Sequence, residues 1–211
     1  GFRACYGGTT GARNVGIGCS ALKAVSTGNN NVAVGYHAMI ALTTGNTNTA
    51  VGKNALMSIT TGTYCTALGT GALQVNTGGF NTAVGADSQI ANTTGQFNTS
   101  VGTNSMIANT TGGNNVAIGY QALDANTTGD YNTALGSGAL TTNTTGEYNT
   151  AIGYAALDAA ATATRNTAVG HNAATAITTG IGNVAVGSFT LPATTTANYN
   201  TALGHTALEV N

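Results

Sequence analysis

The chain has 211 residues, a formal net charge of -1, 42% hydrophobic residues and only 5% charged ones. Its five cations (Arg3, Arg13, Lys23, Lys53, Arg165) are scattered and leave no basic footprint, which excludes nucleic acid as a partner. No apolar run reaches the ~20 residues of a membrane helix, so membrane insertion is excluded as well, and strict periodicity at this hydrophobicity argues against disorder.

From the N-terminus onward one short unit recurs. Copies of Asn48-Thr49-Ala50-Val51-Gly52 end at Gly18, Gly35, Gly52, Gly69, Gly85, Gly102, Gly119, Gly136, Gly153, Gly170, Gly187 and Gly204, and Gly1 fits one more. Every interval is 17 residues except the 16 from Gly69 to Gly85. A short constant period marks a solenoid in which each unit buries itself on its neighbours. The whole of 1–211 therefore reads as a single β-solenoid repeat domain. The chain starts and stops inside a repeat, the expectation for a fragment of a longer fibrous protein.

Within each copy the residue before the anchor glycine is aliphatic (Ile17, Val34, Val51, Leu68 and onward), the next one back is small (Ala33, Ala50, Ala67), and the third is Thr or Val. Period-two alternation of this kind predicts a strand. The aliphatic column is expected to be the core, with the Ala columns, too small to fill an interior, at contacts between chains. Beyond the anchor, Ala-Leu pairs such as Ala21-Leu22, Ala55-Leu56 and Ala139-Leu140 predict a second short strand, followed by a turn rich in Asn, Thr and Gly. The missing residue of the 16-residue interval falls in that turn, at Asn76-Thr77-Gly78, where it is expected to be absorbed.

Four residues before the anchor stands Asn in every copy except Cys65. Asn31, Asn48, Asn81, Asn98, Asn115, Asn132, Asn149 and Asn166 are expected to stack as a structural amide ladder. Two strands and two turns in 17 residues make one coil, so the fold class is all-β, a parallel β-solenoid or β-roll of about twelve coils, about 55–60 Å long at one strand spacing per coil.

The unit Asn-Thr-Ala-Val-Gly, two variable residues, then Ala-Leu resembles the head repeat of the YadA-like trimeric autotransporter adhesins. That resemblance implies a left-handed parallel β-roll and a homotrimer wound about one axis. The longer unit, as in Thr128-Gly129-Asp130-Tyr131-Asn132-Thr133-Ala134-Leu135-Gly136, is similar to repeats of phage and large-virus tail-fibre proteins, which often precede an intramolecular chaperone domain. The longer turn, and the lack of a heptad stalk or membrane anchor in this stretch, depart from the adhesin pattern.

Aromatic residues gather five positions before the anchor: Tyr64, Phe80, Phe97, Tyr131, Tyr148 and Tyr199. A ridge of ring faces flanked by Asn and Thr suits sugar rings, which makes a cell-surface glycan or receptor the candidate ligand. His171 and His205 share one position two coils apart, about 9–10 Å, too far to hold one metal, and His37 sits elsewhere. Asp124 and Asp158 also recur two coils apart, while Asp87, Asp130, Glu147 and Glu209 are scattered, so no acid/base pair forms and no catalytic residue, metal or cofactor is expected. Cys5, Cys19 and Cys65 occupy unrelated positions and spell neither a disulfide framework nor a metal site. Asn92, Asn109, Asn126 and Asn143 begin Asn-Thr-Thr sequons that the repeat itself generates. Thr pairs in register (Thr43-Thr44, Thr60-Thr61, Thr93-Thr94, Thr110-Thr111, Thr144-Thr145, Thr178-Thr179) raise an ice-binding solenoid as an alternative.

These readings converge on a non-enzymatic structural and adhesive fibre segment, a trimeric β-roll of a viral tail fibre or receptor-binding protein that mediates host attachment from the virion surface. A bacterial trimeric autotransporter adhesin head, at an extracellular cell surface, is the alternative.

Overall fold

A computed structural model describes residues 1–8, 10–192 and 195–208; Glu209 lies outside them. Twelve three-residue strands recur once per repeat: β1 (Val15–Ile17), β2 (Val32–Val34), β3 (Thr49–Val51), β4 (Thr66–Leu68), β5 (Thr82–Val84), β6 (Thr99–Val101), β7 (Val116–Ile118), β8 (Thr133–Leu135), β9 (Thr150–Ile152), β10 (Thr167–Val169), β11 (Val184–Val186) and β12 (Thr201–Leu203). They form one parallel sheet in strict chain order, and the described residues contain no helix. Equivalent residues face each other at every step, as in Thr49↔Thr66, Ala50↔Ala67 and Val51↔Leu68. The chain is a β-solenoid of about eleven turns.

The 16-residue coil leaves this register untouched: β4 pairs β5 through Thr66↔Thr82 and Leu68↔Val84. The loss is taken up in the turn, where Thr77 N donates to Thr93 O at 2.8 Å and the Asn76 amide donates to Gly78 O at 2.8 Å.

The inside and outside of the strands are the reverse of the sequence expectation. Ala33, Ala50, Ala67, Ala83 and their equivalents are fully buried, whereas Val51 is 39% exposed, Leu135 42% and Leu203 76%. Alternation says that two faces differ but not which faces inward. Here the coil is so narrow that only Ala, Ser or Gly stands between the sheet and the opposite wall. The aliphatic column points away from the coil.

The predicted second strand is absent. Ala38 and Met39 are both fully buried, and among the described residues no strand forms directly after an anchor glycine. The segment after each anchor is instead a run of overlapping turns. Ala38 N donates to Gly35 O, Ile40 N to His37 O and Leu42 N to Met39 O, with His37 and Met39 at left-handed φ of 57° and 48°. These turns still stack: Met39 N donates to Ala55 O of the next coil at 3.0 Å and His37 N to Cys19 O of the previous one at 3.0 Å. The large core residues therefore come from this side: Leu22, Met39, Leu56, Leu73, Leu123, Leu140 and Leu157.

Two coils interrupt that core with polar groups. Ser88 and Ser100 hydroxyls lie 2.7 Å apart, Ser88 and Ser105 3.2 Å, and Ser100 also reaches Ser105, while Gln89 fills the Leu position and donates to Thr82 O at 3.0 Å. The buried apolar residues accordingly form two clusters, one ending at Ala83 and the other beginning at Met106.

Candidate functional site

The corner that leads into each strand is built on two amide ladders. In the first, Asn48 N and Nδ2 both donate to Asn31 Oδ1, at 3.0 and 3.1 Å, while Nδ2 also donates to Gly62 O at 2.9 Å. The backbone donation to the preceding Asn oxygen recurs at Asn98, Asn115, Asn132, Asn149 and Asn166. At Cys65 the backbone still donates to Asn48 Oδ1 at 2.9 Å, but the rung's own oxygen is gone.

A second ladder, unforeseen from the sequence, starts in the next turn. Asn92 Nδ2 donates to Asn76 Oδ1 at 2.7 Å, Asn109 to Asn92 at 2.9 Å, Asn126 to Asn109 at 2.7 Å and Asn143 to Asn126 at 3.2 Å. Asn76 also takes a bond from Asn81 Nδ2 at 3.2 Å, tying the two ladders together beside the Cys65 gap. Its signal was in the sequence, as Asn in register, but was absorbed by the sequon reading. All four sequon asparagines are fully buried with their amides engaged, so the folded chain offers none of them to glycosylation.

The ladders hold the preceding residue on the surface in a left-handed conformation: φ is 57° at Tyr64, 60° at Phe80, 59° at Phe97 and 58° at Tyr131 and Tyr148. The N–H groups of Tyr64, Phe80, Tyr131 and Tyr148 are fixed by a carbonyl of the previous coil, as Phe80 N by Thr63 O at 2.9 Å and Tyr148 N by Asp130 O at 3.1 Å. The rings consequently stack along the rod. Tyr64 and Phe80 have centroids 5.4 Å apart, Phe80 and Phe97 4.9 Å, and Tyr131 and Tyr148 5.0 Å with planes 6° apart. Arg165 places its guanidinium 5.6 Å from the Tyr148 ring centre. The expected single ridge is thus two stacks separated by Asn114. Tyr199, 80% exposed, stands apart, its ring against Gly182.

A further ring file, also unforeseen, lies just beyond the anchor glycines near the C-terminal end. Tyr154 stacks on His171 at 5.4 Å, His171 meets Phe189 edge-on at 5.1 Å, and Phe189 meets His205 at 6.3 Å. Phe189 stands between the two histidines. Among the described residues no three His, Cys, Asp or Glu side chains gather around a common point, and no enclosed pocket opens. Asp124 and Asp158 do not meet; partial burial pushes the Asp124 carboxyl above the usual range, and one of its oxygens is buried without a donor.

The first hydroxyl is engaged between coils in the pairs that begin at Thr43, Thr93, Thr110, Thr144 and Thr178, as Thr43 Oγ1 donating to Thr60 O at 3.1 Å and Thr93 Oγ1 to Thr110 O at 2.9 Å. The threonines presented on a flat surface are others, Thr49, Thr66, Thr82, Thr99, Thr133, Thr150 and Thr167, in file beside the outward aliphatic column. That column is unbroken from Ile17 to Leu203, one apolar side chain per coil. Compared with protein-family models, curated proteins and solved structures, the chain matches none of them.

Proposed function

We propose that this chain is a structural and adhesive fibre segment: three copies pack their outward sheet faces about a common axis, and the resulting rod carries host attachment for a virus, as part of a tail fibre or receptor-binding protein on the virion. The observation that carries this reading is the unbroken outward aliphatic file. A strip twelve coils long and about 10 Å wide is roughly 500–600 Å² of apolar surface, at the upper end of what a monomer leaves open. Covering it against identical strips removes roughly 1,500–1,800 Å² of apolar surface from water across three chains, which at about 25 cal/mol per Å² favours association. The chain's low charge supplies little to keep such a face in water.

The mechanism is mechanical. Every coil is hydrogen-bonded to both neighbours through strand, turn and Asn ladder, so bending the rod would break several bonds at once. Three parallel copies present each surface ring three times, and repeated weak contacts add through effective concentration. The resemblance of the repeat to tail-fibre and adhesin-head units supports the same assignment.

Light scattering on the purified chain tests it. The expected particle has three times the 20.7 kDa of one chain, and the double substitution Val101→Asp/Leu135→Asp should yield monomers with unchanged β circular dichroism. A monomeric wild type at micromolar concentration would refute the reading. The flat Thr file on the same face favours one rival, ice binding, which predicts thermal hysteresis from a monomer with that face free; a trimer without hysteresis eliminates it.

A further inference from the structure

The break between the two ring stacks has a shape of its own. Rings repeat at 4.9–5.4 Å per coil on one side of it and 5.0 Å on the other. Two such steps put the facing walls, Phe97 and Tyr131, about 10 Å apart. Between them stands Asn114, exposed, at the same left-handed φ of 57° as the aromatic residues, with its side-chain amide in no hydrogen bond among the described residues. Beside it is Gly113, which adds no side chain to the gap; a Cβ there would meet Gln96 O at 3.0 Å. The gap is bordered by Gln96 in the coil before and by Asp130 in the coil after, whose carboxylate accepts from Gly113 N at 2.6 Å.

We infer that this notch is a subsite for one pyranose ring, held between the Phe97 and Tyr131 faces over Asn114. A centred guest sits about 5 Å from each wall, within the range of ring contacts. A flat aromatic guest makes close contact at about 3.5–4 Å and touches only one wall at a time. A sugar chair is thicker, because axial hydrogens project from both of its faces, and it meets both walls with C–H groups. Its equatorial hydroxyls then point along the plane of the gap, where the Asn114 amide, the Gln96 amide and the Asp130 carboxylate supply donors and acceptors. The notch is open to solvent on one side, so a single site is weak and gains from repetition on parallel copies. Elsewhere in the file the rings are already stacked on one another and offer edges in place of paired faces.

This subsite gives the attachment reading a ligand class and rests on it for its biological meaning, but its test uses free sugars and stands apart from trimer formation and host binding. Saturation-transfer NMR is recorded on the intact chain with methyl glycosides of glucose, galactose, mannose and N-acetylglucosamine. At least one should receive saturation, strongest at its ring C–H protons. Asn114→Tyr fills the gap by joining the stacks; Tyr already occupies this position at the same φ in neighbouring coils, so the fold should be kept and the transfer lost to background. Tyr131→Leu removes one wall and should cause the same loss. Transfer from none of the four sugars to the wild type overturns the proposal, as does transfer that persists in both variants, which would mean non-specific contact with the remaining rings. Sugar binding without attachment to any host surface would sink the fibre reading and leave the subsite standing.

Discussion

A Cβ added to Gly129 would stand 2.6 Å from the side-chain oxygen of Asn126. The same crowding links Asn109 with Gly112, and in the coils whose corner is apolar a Cβ on Gly45 would meet Leu42 and one on Gly62 would meet Ile59. Together with the next coil's carbonyl, Gly146 O, which lies still closer to a Cβ on Gly129, a long side chain ten residues before the anchor leaves room only for glycine three residues later. The ladder stops where this rule is relaxed: Asn143 Oδ1 is buried without a donor, and the next coil has Ala160 paired with Ala163.

Extending that ladder should need both changes. Ala160→Asn alone is expected to destabilise by about 1–2 kcal/mol through a clash with the Ala163 methyl. Combined with Ala163→Gly it should supply the missing donor to Asn143 and recover at least that amount, a coupling of about 1–3 kcal/mol. A denaturant double-mutant cycle measures it, and additive single effects would contradict the account.

Asn115 joins three coils. Its backbone donates to Asn98 Oδ1 at 3.0 Å, its amide to Gly129 O at 2.8 Å, and its oxygen accepts from Asn132 N at 2.9 Å. Asn115→Ala leaves a buried donor and a buried acceptor without partners, so a loss of about 2–4 kcal/mol is expected in equilibrium unfolding. A loss below about 0.5 kcal/mol would mean that the ladder is ornamental.

Two glycines with positive φ should respond differently to alanine. At Gly119, with φ 138°, a Cβ would lie 2.5 Å from Gly136 O, so Gly119→Ala combines a forbidden conformation with a backbone clash and should cost more than about 3 kcal/mol. At Gly138, with φ 68°, the nearest atom is 3.4 Å away and neighbouring coils carry Gln121 and Ala155 at the same place. Gly138→Ala should cost about 1 kcal/mol or less. Melting temperatures of the two variants compare them directly.

Burial holds the Cys65 thiol above its ordinary value of 9.0, opposed to a smaller extent by hydrogen bonds from the Asn81 and Phe80 backbone and the Asn76 side chain. The folded state therefore keeps this proton more tightly than the unfolded one. Its contribution to stability is complete below pH 9.0 and is lost as pH rises through and past that value. Cys65→Ser removes the titration, while the exposed tyrosines stay common to both proteins. The stability difference between wild type and variant should be flat from pH ~6 to ~8 and then shift in favour of the variant. A difference independent of pH up to ~11 would contradict the burial argument.

The register of the coil was legible because it follows from spacing alone: Asn48, Ala50 and Gly52 recur with their neighbours, and parallel stacking is the one arrangement that puts like on like. The orientation of the strand was not. Ala50 and Val51 alternate equally well whichever faces inward, and the usual preference for Val in cores pointed the wrong way in a coil too thin to hold it. The turns after each anchor were hidden for a different reason. His37 and Met39 carry side chains that rarely adopt positive φ, so nothing in their identity marks a left-handed turn, while Ala-Leu beside a polar residue imitates a strand. The interruption of the ring file was visible as Asn114 among aromatics, yet its geometry required the stack spacing on either side.

From Asn98 to Asn200 every backbone N–H of the first ladder donates to the Asn oxygen of the N-terminal neighbour, so each of these coils shows a side-chain oxygen to the coil after it and an N–H to the coil before it. An inserted coil would meet the same pair of surfaces that it separated. Duplication or deletion of whole repeats therefore changes the reach of the rod without rewriting any junction, and length becomes a property that evolution can adjust one coil at a time.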